Sequence, residues 1–318
     1  MARFNDRPTL PIGTSGSTGK PKTIDVQKEH MINSALATGA FFKMGPGTKG
    51  LHCLPSNFIA GKMMLIRAMY LGWDLHCIRP TSIPLIPTGN HYDFCAMVPL
   101  QLQNSIPALG RIGTLIVGGA PLASELKSRL VGLKTKIYET YGMTETVSHI
   151  AVKEITTNAG TESNFKTLPD VVLSKDDRDC LVIRAPKIMG GAMATNDVVE
   201  LISPSEFIWL GRYDNIINSG GIKLIPEQIE QKLSPILTTR FFVAGIPDAV
   251  LGQKLVLVVE GDVDAGQISE EIRTLSSLSK YEIPKEIHGL PKFLETANGK
   301  VRREATLQAI RLYGNGLV

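Results

Sequence analysis

The stretch that decides the chemistry is Gly13-Thr-Ser-Gly-Ser-Thr-Gly-Lys-Pro-Lys22, in a chain of 318 residues. Its three glycines let the backbone turn tightly and bring amide N–H groups close to a polyanion. Four hydroxyl side chains and the ammonium group of Lys20 add further donors and a positive charge. This composition suits a triphosphate. A glycine- and serine-rich turn at a domain edge is the alternative interpretation.

This phosphate loop differs from a Walker A loop, which has glycine six positions before its lysine and Ser or Thr after it. Thr14 and Pro21 stand at those two positions. Because Pro21 disfavours helix at Lys20, we predict that the loop joins two strands rather than a strand and a helix. The residues that we assign to the nucleotide phosphates are Thr14, Ser15, Gly16, Ser17, Thr18, Gly19 and Lys20.

Composition and charge limit the possible classes of function. Hydrophobic residues make up 43% and charged residues 20%, which is typical of folded globular proteins. The net charge of +4 gives no basic excess that would indicate a nucleic-acid or membrane partner. No apolar run is long enough to span a bilayer, and the first residues lack the apolar centre of a secretory signal. We therefore expect a cytoplasmic protein.

The four cysteines lack the spacing of a disulfide scaffold or of a known zinc motif. Three of them lie near histidines, as in His52-Cys53, so a zinc site is one interpretation. The other, which we prefer, is that the cysteines are small buried hydrophobic residues at strand ends.

The order of apolar runs indicates an α/β fold, because short β-rich runs alternate with amphipathic stretches. We predict strands at Thr114–Val117, Leu181–Ile183, Phe207–Leu210 and Lys254–Glu260, and helices at Met31–Phe42, Gly61–Leu71 and Leu122–Leu130. The length suggests two domains. We place them at residues 1–213 and 214–318, and expect a helix to begin at Pro226, where proline and acidic residues suit a helix N-terminus.

Four further blocks follow the phosphate loop. They are Gly118-Gly119-Ala120-Pro121, Tyr138-Glu-Thr-Tyr-Gly-Met-Thr-Glu145, Gly211-Arg212-Tyr213-Asp214 with Gly220-Gly221, and Asn298-Gly299-Lys300-Val-Arg-Arg303. Tyr141 offers a flat face for adenine, and Thr144 offers a hydroxyl for a phosphate oxygen. Glu145 is the hard oxygen ligand that Mg²⁺ prefers. Taken singly, the second block is typical of a strand end and the last of a solvated turn.

From about residue 9 to 304, these five blocks resemble the adenylate-forming superfamily, which includes acyl-CoA synthetases, peptide-synthetase adenylation domains and luciferases. The resemblance implies a large N-terminal α/β domain and a small mobile C-terminal α+β domain. It also implies an ATP-dependent acid–thiol ligase. Such an enzyme uses Mg²⁺, activates a carboxylic acid as acyl-AMP, releases pyrophosphate and transfers the acyl group to CoA.

The same resemblance assigns roles to individual residues. Lys300 is the catalytic lysine, which stabilises the charge that develops as carboxylate and α-phosphate meet. Thr144 and Glu145 act beside it, Glu145 also as the metal ligand. The nucleotide-binding residues are Gly119, Ala120, Tyr141, Gly142, Met143, Asp197 and Arg212. At Asp197 the chain departs from the usual Thr-Gly-Asp, because it reads Thr195-Asn196-Asp197.

The resemblance also implies a change of domain orientation between two half-reactions. Asp214 stands at the hinge position, about which the C-terminal domain rotates after adenylation. Gly220 and Gly221 suit the pantetheine arm of CoA, because backbone without side chains can lie close to a ligand. A simple turn before a helix is the alternative for this glycine pair.

Near the start, the chain departs from the family pattern. Relatives carry a long segment before the phosphate loop, which here begins at residue 13. We therefore expect a large domain that is shortened relative to the family. Self-association into a homo-oligomer could cover apolar surface that this segment would otherwise contact.

The acyl side is marked by Leu54-Pro55-Ser56-Asn57-Phe58-Ile59-Ala60-Gly61, where Phe58 replaces the family's usual histidine. Phe58 is either a wall of the acyl pocket or a core aromatic residue at a helix start. The length of the chain, Arg67 in the following helix and the stretch Asp93–Pro99 look most like the o-succinylbenzoate–CoA ligases of menaquinone biosynthesis. Their substrate has a second carboxylate, for which Arg67 is our candidate partner. The alternative is a solvated arginine.

Other functions stay open at this point. Acyl-CoA ligases for other aromatic acids share the five blocks, and so do enzymes that load a carrier protein instead of free CoA. A third alternative is a nucleotide-binding protein without catalytic activity.

Overall fold

The computed structural model describes residues 7–14, 22–85, 89–155, 163–295 and 301–314. The chain divides into two compact units. Unit 1 comprises residues 1–176, 181–195 and 201–208, and unit 2 comprises residues 177–180, 196–200 and 209–318. Within the described ranges, no helix has both the length and the apolar character that a membrane crossing requires.

Unit 1 is an α/β structure with thirteen labelled strands, of which β11, β12 and β13 also contribute residues to unit 2. The strands are β1 (Thr9–Thr14), β2 (Lys22–Gln27), β3 (Lys49–His52), β4 (Asp74–Cys77), β5 (Tyr92–Met97), β6 (Ile112–Val117), β7 (Lys136–Gly142), β8 (His149–Glu154), β9 (Phe165–Thr167), β10 (Val172–Lys175), β11 (Cys180–Arg184), β12 (Ala192–Ser203) and β13 (Glu206–Arg212). The helices are α1 (Lys28–Phe42), α2 (Ile59–Leu71), α3 (Pro99–Ser105), α4 (Ser124–Ser128) and α5 (Pro186–Met189).

The main sheet has the strand order β10-β11-β12-β13-β9-β8-β7-β6-β5-β3-β4. Strands β4, β3, β5, β6 and β7 are parallel, whereas β7 pairs with β8 antiparallel. Parallel strands are covered on both faces and therefore read as almost continuous apolar runs. Strand β6 shows this, because only Gly113 among its residues is exposed.

Successive residues of β6 pack into two different clusters, as the period of two in a strand requires. Leu115 and Val117 lie in a buried cluster with Leu102 of α3. Ile116 lies in a second cluster with Met64 of α2 and Trp73. Helices therefore cover both faces of the sheet, which is the α/β arrangement expected from the sequence.

The phosphate loop does join two strands, as predicted. Strands β1 and β2 pair antiparallel from Thr9 opposite Gln27 to Thr14 opposite Lys22. The predicted helices at Met31–Phe42 and Gly61–Leu71 are also confirmed, within α1 and α2. The cysteines follow the prediction only in part, since Cys77 is exposed while the other three are buried.

The helix predicted at Leu122–Leu130 is shorter than expected, because α4 covers only Ser124–Ser128. At its start, the backbone N–H of Leu122 donates to the carboxylate of Glu139 at 2.9 Å. This contact keeps the chain in a turn for longer than the local pattern suggests. Beyond its end, Gly132 has a φ of +79°, which reverses the chain direction.

Unit 2 contains an antiparallel sheet in the order β15-β14-β17-β16, with β18 parallel to β17. Its elements are β14 (Ile217–Ser219), β15 (Ile222–Leu224), β16 (Phe241–Asp248), β17 (Gly252–Glu260), β18 (Glu286–Leu290), α6 (Pro226–Leu233), α7 (Ala265–Thr274) and α8 (Arg303–Gly314). Leu255 and Leu257 pack with Ile229 of α6, whereas Val256 and Val258 pack with Phe242. The helix start predicted at Pro226 is confirmed. Our domain limits at residues 1–213 and 214–318 stay a prediction.

Candidate active site

The candidate site in unit 1 lies where three parallel strands end. Met97 of β5 is opposite Val117 of β6, and Val117 is opposite Glu139 of β7. The segments that follow these strands are therefore neighbours at one edge of the sheet. In open α/β sheets, ligands bind outside the carboxyl ends of the strands. Gly119 and Ala120, which follow β6, thus lie at the same edge of the sheet as Tyr141, near the end of β7.

The turn after β6 requires glycine at two positions. A Cβ at Gly118 would lie 2.3 Å from the hydroxyl oxygen of Thr140. Gly119 has a φ of +92°, in the left-handed region that favours glycine. Gly119 is exposed and Ala120 is half-buried. The backbone of this turn can therefore approach a flat ligand closely.

Tyr141 is half-buried and held by aromatic contacts. Its ring centroid lies 5.9 Å from that of Phe165 and 5.2 Å from that of Phe207, both edge-to-face. A Cβ at the next residue, Gly142, would lie 2.3 Å from the carbonyl oxygen of Ser148. The glycine therefore lets the β7–β8 turn close on itself directly after the tyrosine.

The β7–β8 turn is organised by a residue that the sequence did not single out. Thr146 is completely buried, and its hydroxyl accepts a hydrogen bond from the backbone N–H of Met143 at 3.0 Å. The same hydroxyl lies 3.0 Å from the carbonyl oxygen of Met143 and 2.8 Å from that of Ser148, so it donates within the turn. This contact presents Thr144, half-buried, and Glu145, exposed, at the edge of the sheet.

The surroundings of Glu145 fit a magnesium ion. Among the residues that the structure describes, none forms an ion pair or hydrogen bond with its carboxylate, so both oxygens are available. That part of the chain also has no group of three acidic, histidine or cysteine ligands. A metal at Glu145 would therefore take its other ligands from phosphate groups and water, as Mg²⁺ commonly does.

Arg67 of α2 is buried, with 2% of its surface exposed, so the solvated alternative is wrong. Its Nη2 donates to the hydroxyl of Ser148 at 2.9 Å and lies 3.4 Å from Nδ1 of His149. Within the described ranges, its Nε has no acceptor and no carboxylate lies at ion-pair distance from the guanidinium. Burial lowers the pKa of Arg67 to about 10, so the guanidinium is charged at neutral pH.

His149 is the neutral neighbour of this charge. Burial, and then the charge of Arg67, lower the pKa of His149 well below its ordinary value. Because Arg67 can only donate, Nδ1 of His149 accepts and the proton sits on Nε2. That Nε2–H is buried without a partner among the described residues. The sequence signal for His149 is weak, because it is only a polar residue shortly after the tyrosine–glycine block.

Phe58 lies at the N-terminus of α2 with 46% of its surface exposed. The interpretation as a core aromatic residue is therefore wrong, and a role as pocket wall stays a prediction. Gly61 in the first turn of the helix has no room for a side chain, since a Cβ would lie 2.2 Å from the carbonyl oxygen of Pro55.

In unit 2, the structure brings together Asp197, Arg212 and Asp214. Asp197 is buried; it accepts a hydrogen bond from the indole N–H of Trp209 at 3.1 Å, and Arg212 lies 3.5 Å away. Arg212 also pairs with Asp214 at 3.1 Å. Asn196, which replaces the family glycine, donates to both oxygens of Asp214 at 3.2 and 3.1 Å.

Gly220 and Gly221 form the two-residue turn between β14 and β15. Their φ angles are +58° and +81°, typical of the tight hairpin turn that asparagine or glycine accommodates. The turn explains both glycines by backbone geometry, and a contact with CoA stays a prediction.

Two groups of assigned residues lie outside the described residues. They are Ser15–Lys20 of the phosphate loop and Lys300. Thr14 ends β1, directly before that loop. Val301, directly after Lys300, pairs antiparallel with Glu295, and the N–H of Arg302 donates to the carbonyl of Leu294 at 2.7 Å.

Comparison with known proteins identifies the family. The AMP-binding enzyme family matches residues 5–172, more than half of the chain. The chain belongs to this family. A structure of an acyl-CoA synthetase (AMP-forming)/AMP-acid ligase II-like protein from Dyadobacter fermentans DSM 18053 is 39% identical. The match covers 96% of this chain and 90% of that one, with a TM-score of 0.63.

Two further proteins are similar at lower identity. The 2-succinylbenzoate–CoA ligase of Geobacillus sp. (strain WCH70) is 25% identical over 98% of this chain and 71% of the relative. The o-succinylbenzoate CoA synthetase (MenE) of Bacillus subtilis, solved with the acyl-adenylate intermediate OSB-AMP, is 20% identical. It has a TM-score of 0.76, with coverage of 92% and 68%.

Membership in the AMP-binding family establishes the class of enzyme. The protein is an acid–CoA ligase that forms an acyl-adenylate. The same Bacillus subtilis enzyme, at 21% identity, was also solved in complex with ATP and magnesium ion. The mixed α/β fold expected from the sequence is that of the solved enzymes of this family.

Proposed function

We propose that this AMP-binding family ligase converts o-succinylbenzoate into its CoA thioester. The observation that carries the proposal is Arg67, a buried guanidinium without a counter-ion among the described residues. Placing a charge in a protein interior costs several kcal/mol unless an opposite charge and hydrogen bonds compensate for it. A substrate with a second carboxylate supplies that compensation. Curated relatives with the name 2-succinylbenzoate–CoA ligase support the same substrate.

The neighbours of Arg67 suit the rest of such a substrate. His149 presents a buried N–H without a partner among the described residues, and this group can donate to a carboxylate or ketone oxygen. Phe58 is exposed nearby in sequence, at the start of the helix that carries Arg67. We assign Phe58 to the wall of the acyl pocket and Arg67 with His149 to its polar end.

In the first half-reaction, a carboxylate oxygen of the acid attacks the α-phosphorus of ATP, and the bond to the pyrophosphate oxygen breaks. We assign the phosphates to Thr14 and Ser15–Lys20, the adenine to Gly119, Ala120 and Tyr141, and the turn around it to Gly142 and Met143. Thr144 binds a phosphate oxygen. Glu145 would hold Mg²⁺, and the bound ion would neutralise phosphate charge. Asp197 and Arg212 are assigned to the ribose and phosphate.

We assign the positive charge of this step to Lys300. Its ammonium group stabilises the transition state, in which the carboxylate oxygen and the phosphate oxygens share negative charge. In the second half-reaction, the CoA sulfur attacks the acyl carbonyl, AMP leaves, and the thiol proton is released. We assign the CoA arm to Gly220 and Gly221, and the change between the two steps to rotation of residues 214–318 about Asp214. The supply of ATP and CoA for these steps favours a cytoplasmic location.

Pyrophosphate release with a panel of acids tests the proposal. We expect release with o-succinylbenzoate in the presence of ATP and Mg²⁺, and a slower reaction with benzoate. Lys300→Ala should slow release by about 10²–10⁴-fold, which is about 3–5 kcal/mol of barrier. Unchanged release in that variant would remove Lys300 from the mechanism.

The same assay separates the other candidate functions. Faster pyrophosphate release with another aromatic acid would identify an acyl-CoA ligase with the same reaction and a different substrate. Transfer to a phosphopantetheinylated carrier protein but not to free CoA would identify an acyl loader.

A further inference from the structure

Glu139 is a buried carboxylate in β7, two residues before Tyr141, and only 6% of its surface is exposed. One of its oxygens accepts a hydrogen bond from the backbone N–H of Leu122 at 2.9 Å. The other lies 3.0 Å from the ammonium group of Lys127. Pro121 has no N–H, so Leu122 carries the first backbone donor after Ala120. Glu139 therefore fixes the end of the Gly118–Pro121 turn.

Thr140, the next residue of β7, fixes the start of the same turn. Its hydroxyl donates to the carbonyl oxygen of Val117 at 3.0 Å. That hydroxyl also occupies the space that a side chain at Gly118 would need. Because successive side chains of a strand point to opposite faces, Glu139 and Thr140 hold the turn from two sides of the sheet.

We infer that Glu139 and Thr140 are positioning residues that set the distance between the Gly118–Pro121 turn and Tyr141, and thereby the selectivity for adenine. The inference rests on the proposed role of Gly119, Ala120 and Tyr141 in adenine binding. A binding site discriminates between adenine and guanine only when its polar groups are held at fixed positions, because a mobile backbone can adapt to the wrong base. Glu139 and Thr140 supply this rigidity without touching the base.

Lys127 provides the matched control. It belongs to the short helix α4, and 32% of its side chain is exposed. An ion pair of this exposure adds little to stability, and the carboxylate of Glu139 keeps its bond to Leu122 without it. The substitution Lys127→Met should therefore leave nucleotide binding unchanged within about twofold.

The test compares Glu139→Leu, Glu139→Gln and Thr140→Val with the wild type. Dissociation constants are measured by calorimetry with ATP alone and with GTP alone, and KM and kcat by pyrophosphate release. Because a hydrogen bond to a charged group is lost, Glu139→Leu should weaken ATP binding about 10–100-fold. It should also move the ATP-to-GTP preference toward one, while kcat at saturating ATP changes little. Thr140→Val should act in the same direction, by about 3–10-fold.

Rescue distinguishes positioning from a merely structural role. Glu139→Gln keeps an oxygen that accepts from Leu122, so it should bind ATP nearly as the wild type does. Folded Glu139→Leu and Thr140→Val variants with wild-type ATP affinity and base preference would overturn the inference. Lower melting temperatures with an unchanged ATP-to-GTP ratio would also overturn it.

The experiment also distinguishes a folding defect, a failure of the proposed function and a failure of the positioning role. If Glu139→Leu does not fold, Thr140→Val decides by the same two readouts, since it keeps the volume and shape of the side chain. If the wild-type protein neither binds ATP nor releases pyrophosphate, the proposed function is wrong. If the wild type binds ATP and both variants match it, only the positioning role is wrong.

Discussion

Arg67 in unit 1 and Arg212 in unit 2 show two ways to place a positive charge. Arg67 is buried, and among the described residues its hydrogen-bond partners are the neutral groups of Met64, Ser148 and His149. The side chain of Arg212 is 43% exposed and pairs with Asp197 and Asp214. A half-exposed guanidinium is stabilised by water and by its own counter-ions. A buried guanidinium among neutral groups has a high desolvation cost, which an anion from a bound ligand can offset. The contrast therefore locates the acidic substrate at Arg67 in our proposal.

Of the two arginines, Arg67 is expected to have the larger effect when it is replaced by Met, which keeps much of the volume and removes the charge. For o-succinylbenzoate, kcat/KM should fall by about 10²–10³-fold, because the substrate's second carboxylate loses a buried partner. The free energy of unfolding should stay the same or rise, because an uncompensated buried charge has been removed. Steady-state pyrophosphate release and chemical denaturation measure the two quantities.

Benzoate and Arg67→Lys are the controls for that experiment. With benzoate, which has one carboxylate, the loss in Arg67→Met should be much smaller. Arg67→Lys keeps the charge but cannot form a bidentate contact with a carboxylate. Its kcat/KM for o-succinylbenzoate should therefore lie between those of the wild type and Arg67→Met. Equal losses for both acids, or a marked loss of stability in Arg67→Met, would contradict the account of this arginine.

A smaller effect is expected from Arg212→Met. We expect KM for ATP to rise about tenfold, in line with the loss of one charged hydrogen bond. Stability should fall by at most about 1 kcal/mol, because the ion pairs of Arg212 are half-exposed. Added salt should reduce the effect of Arg212 on ATP binding but not the effect of Arg67 on binding of the acid, because salt screens charges near solvent much more than buried charges.

Lys187→Met is the matched control for Arg212→Met. Lys187 forms an exposed ion pair with Asp170 at 2.8 Å and belongs to no assigned site. Its loss should leave KM for ATP unchanged. A Lys187→Met effect equal to that of Arg212→Met would show that the rise in KM reflects general surface charge.

The smallest effect concerns acid stability beside Arg67. Burial and the charge of Arg67 lower the pKa of His149 in the folded state, whereas the unfolded chain has the ordinary value of about 6.5. As the pH falls below about 6.5, the unfolded chain therefore binds a proton that the folded one does not. The free energy of unfolding should decrease by up to about 1.4 kcal/mol per pH unit from this histidine.

Denaturation of wild type and His149→Gln between pH 7.5 and 5 measures this decrease, and the variant should show a shallower slope. Burial also lowers the pKa of His52, so part of the slope should persist. In Arg67→Met the pKa of His149 should rise, which also makes the slope shallower. A slope in His149→Gln identical to that of the wild type would rule out the buried neutral imidazole.

Much of the fold follows from local pattern, because its signals lie within single elements. Pro21 predicted the strand after the phosphate loop, and the apolar run ending at Val117 predicted β6. The predicted helix at Leu122–Leu130 was too long, because Glu139 holds the N–H of Leu122 from a different strand. A contact between residues 17 positions apart cannot be predicted from the local hydrophobic pattern.

The candidate site divides in the same way. The tyrosine–glycine and glycine–alanine blocks were found because each is a short motif. Thr146, Ser148 and His149 were missed, because each acts through contacts that the turn or the fold creates. Arg67 was named as a candidate, but its buried guanidinium donates to Ser148, which lies 81 positions further along the chain, so its surroundings could not be predicted.

Mass spectrometry after one incubation tests the central claim most directly. The purified protein is mixed with ATP, Mg²⁺, CoA and o-succinylbenzoate, and the products are identified by mass. We predict the CoA thioester of o-succinylbenzoate together with AMP and pyrophosphate, and none of these products when the acid is omitted. Intact ATP and free CoA after prolonged incubation of the folded protein would contradict the account.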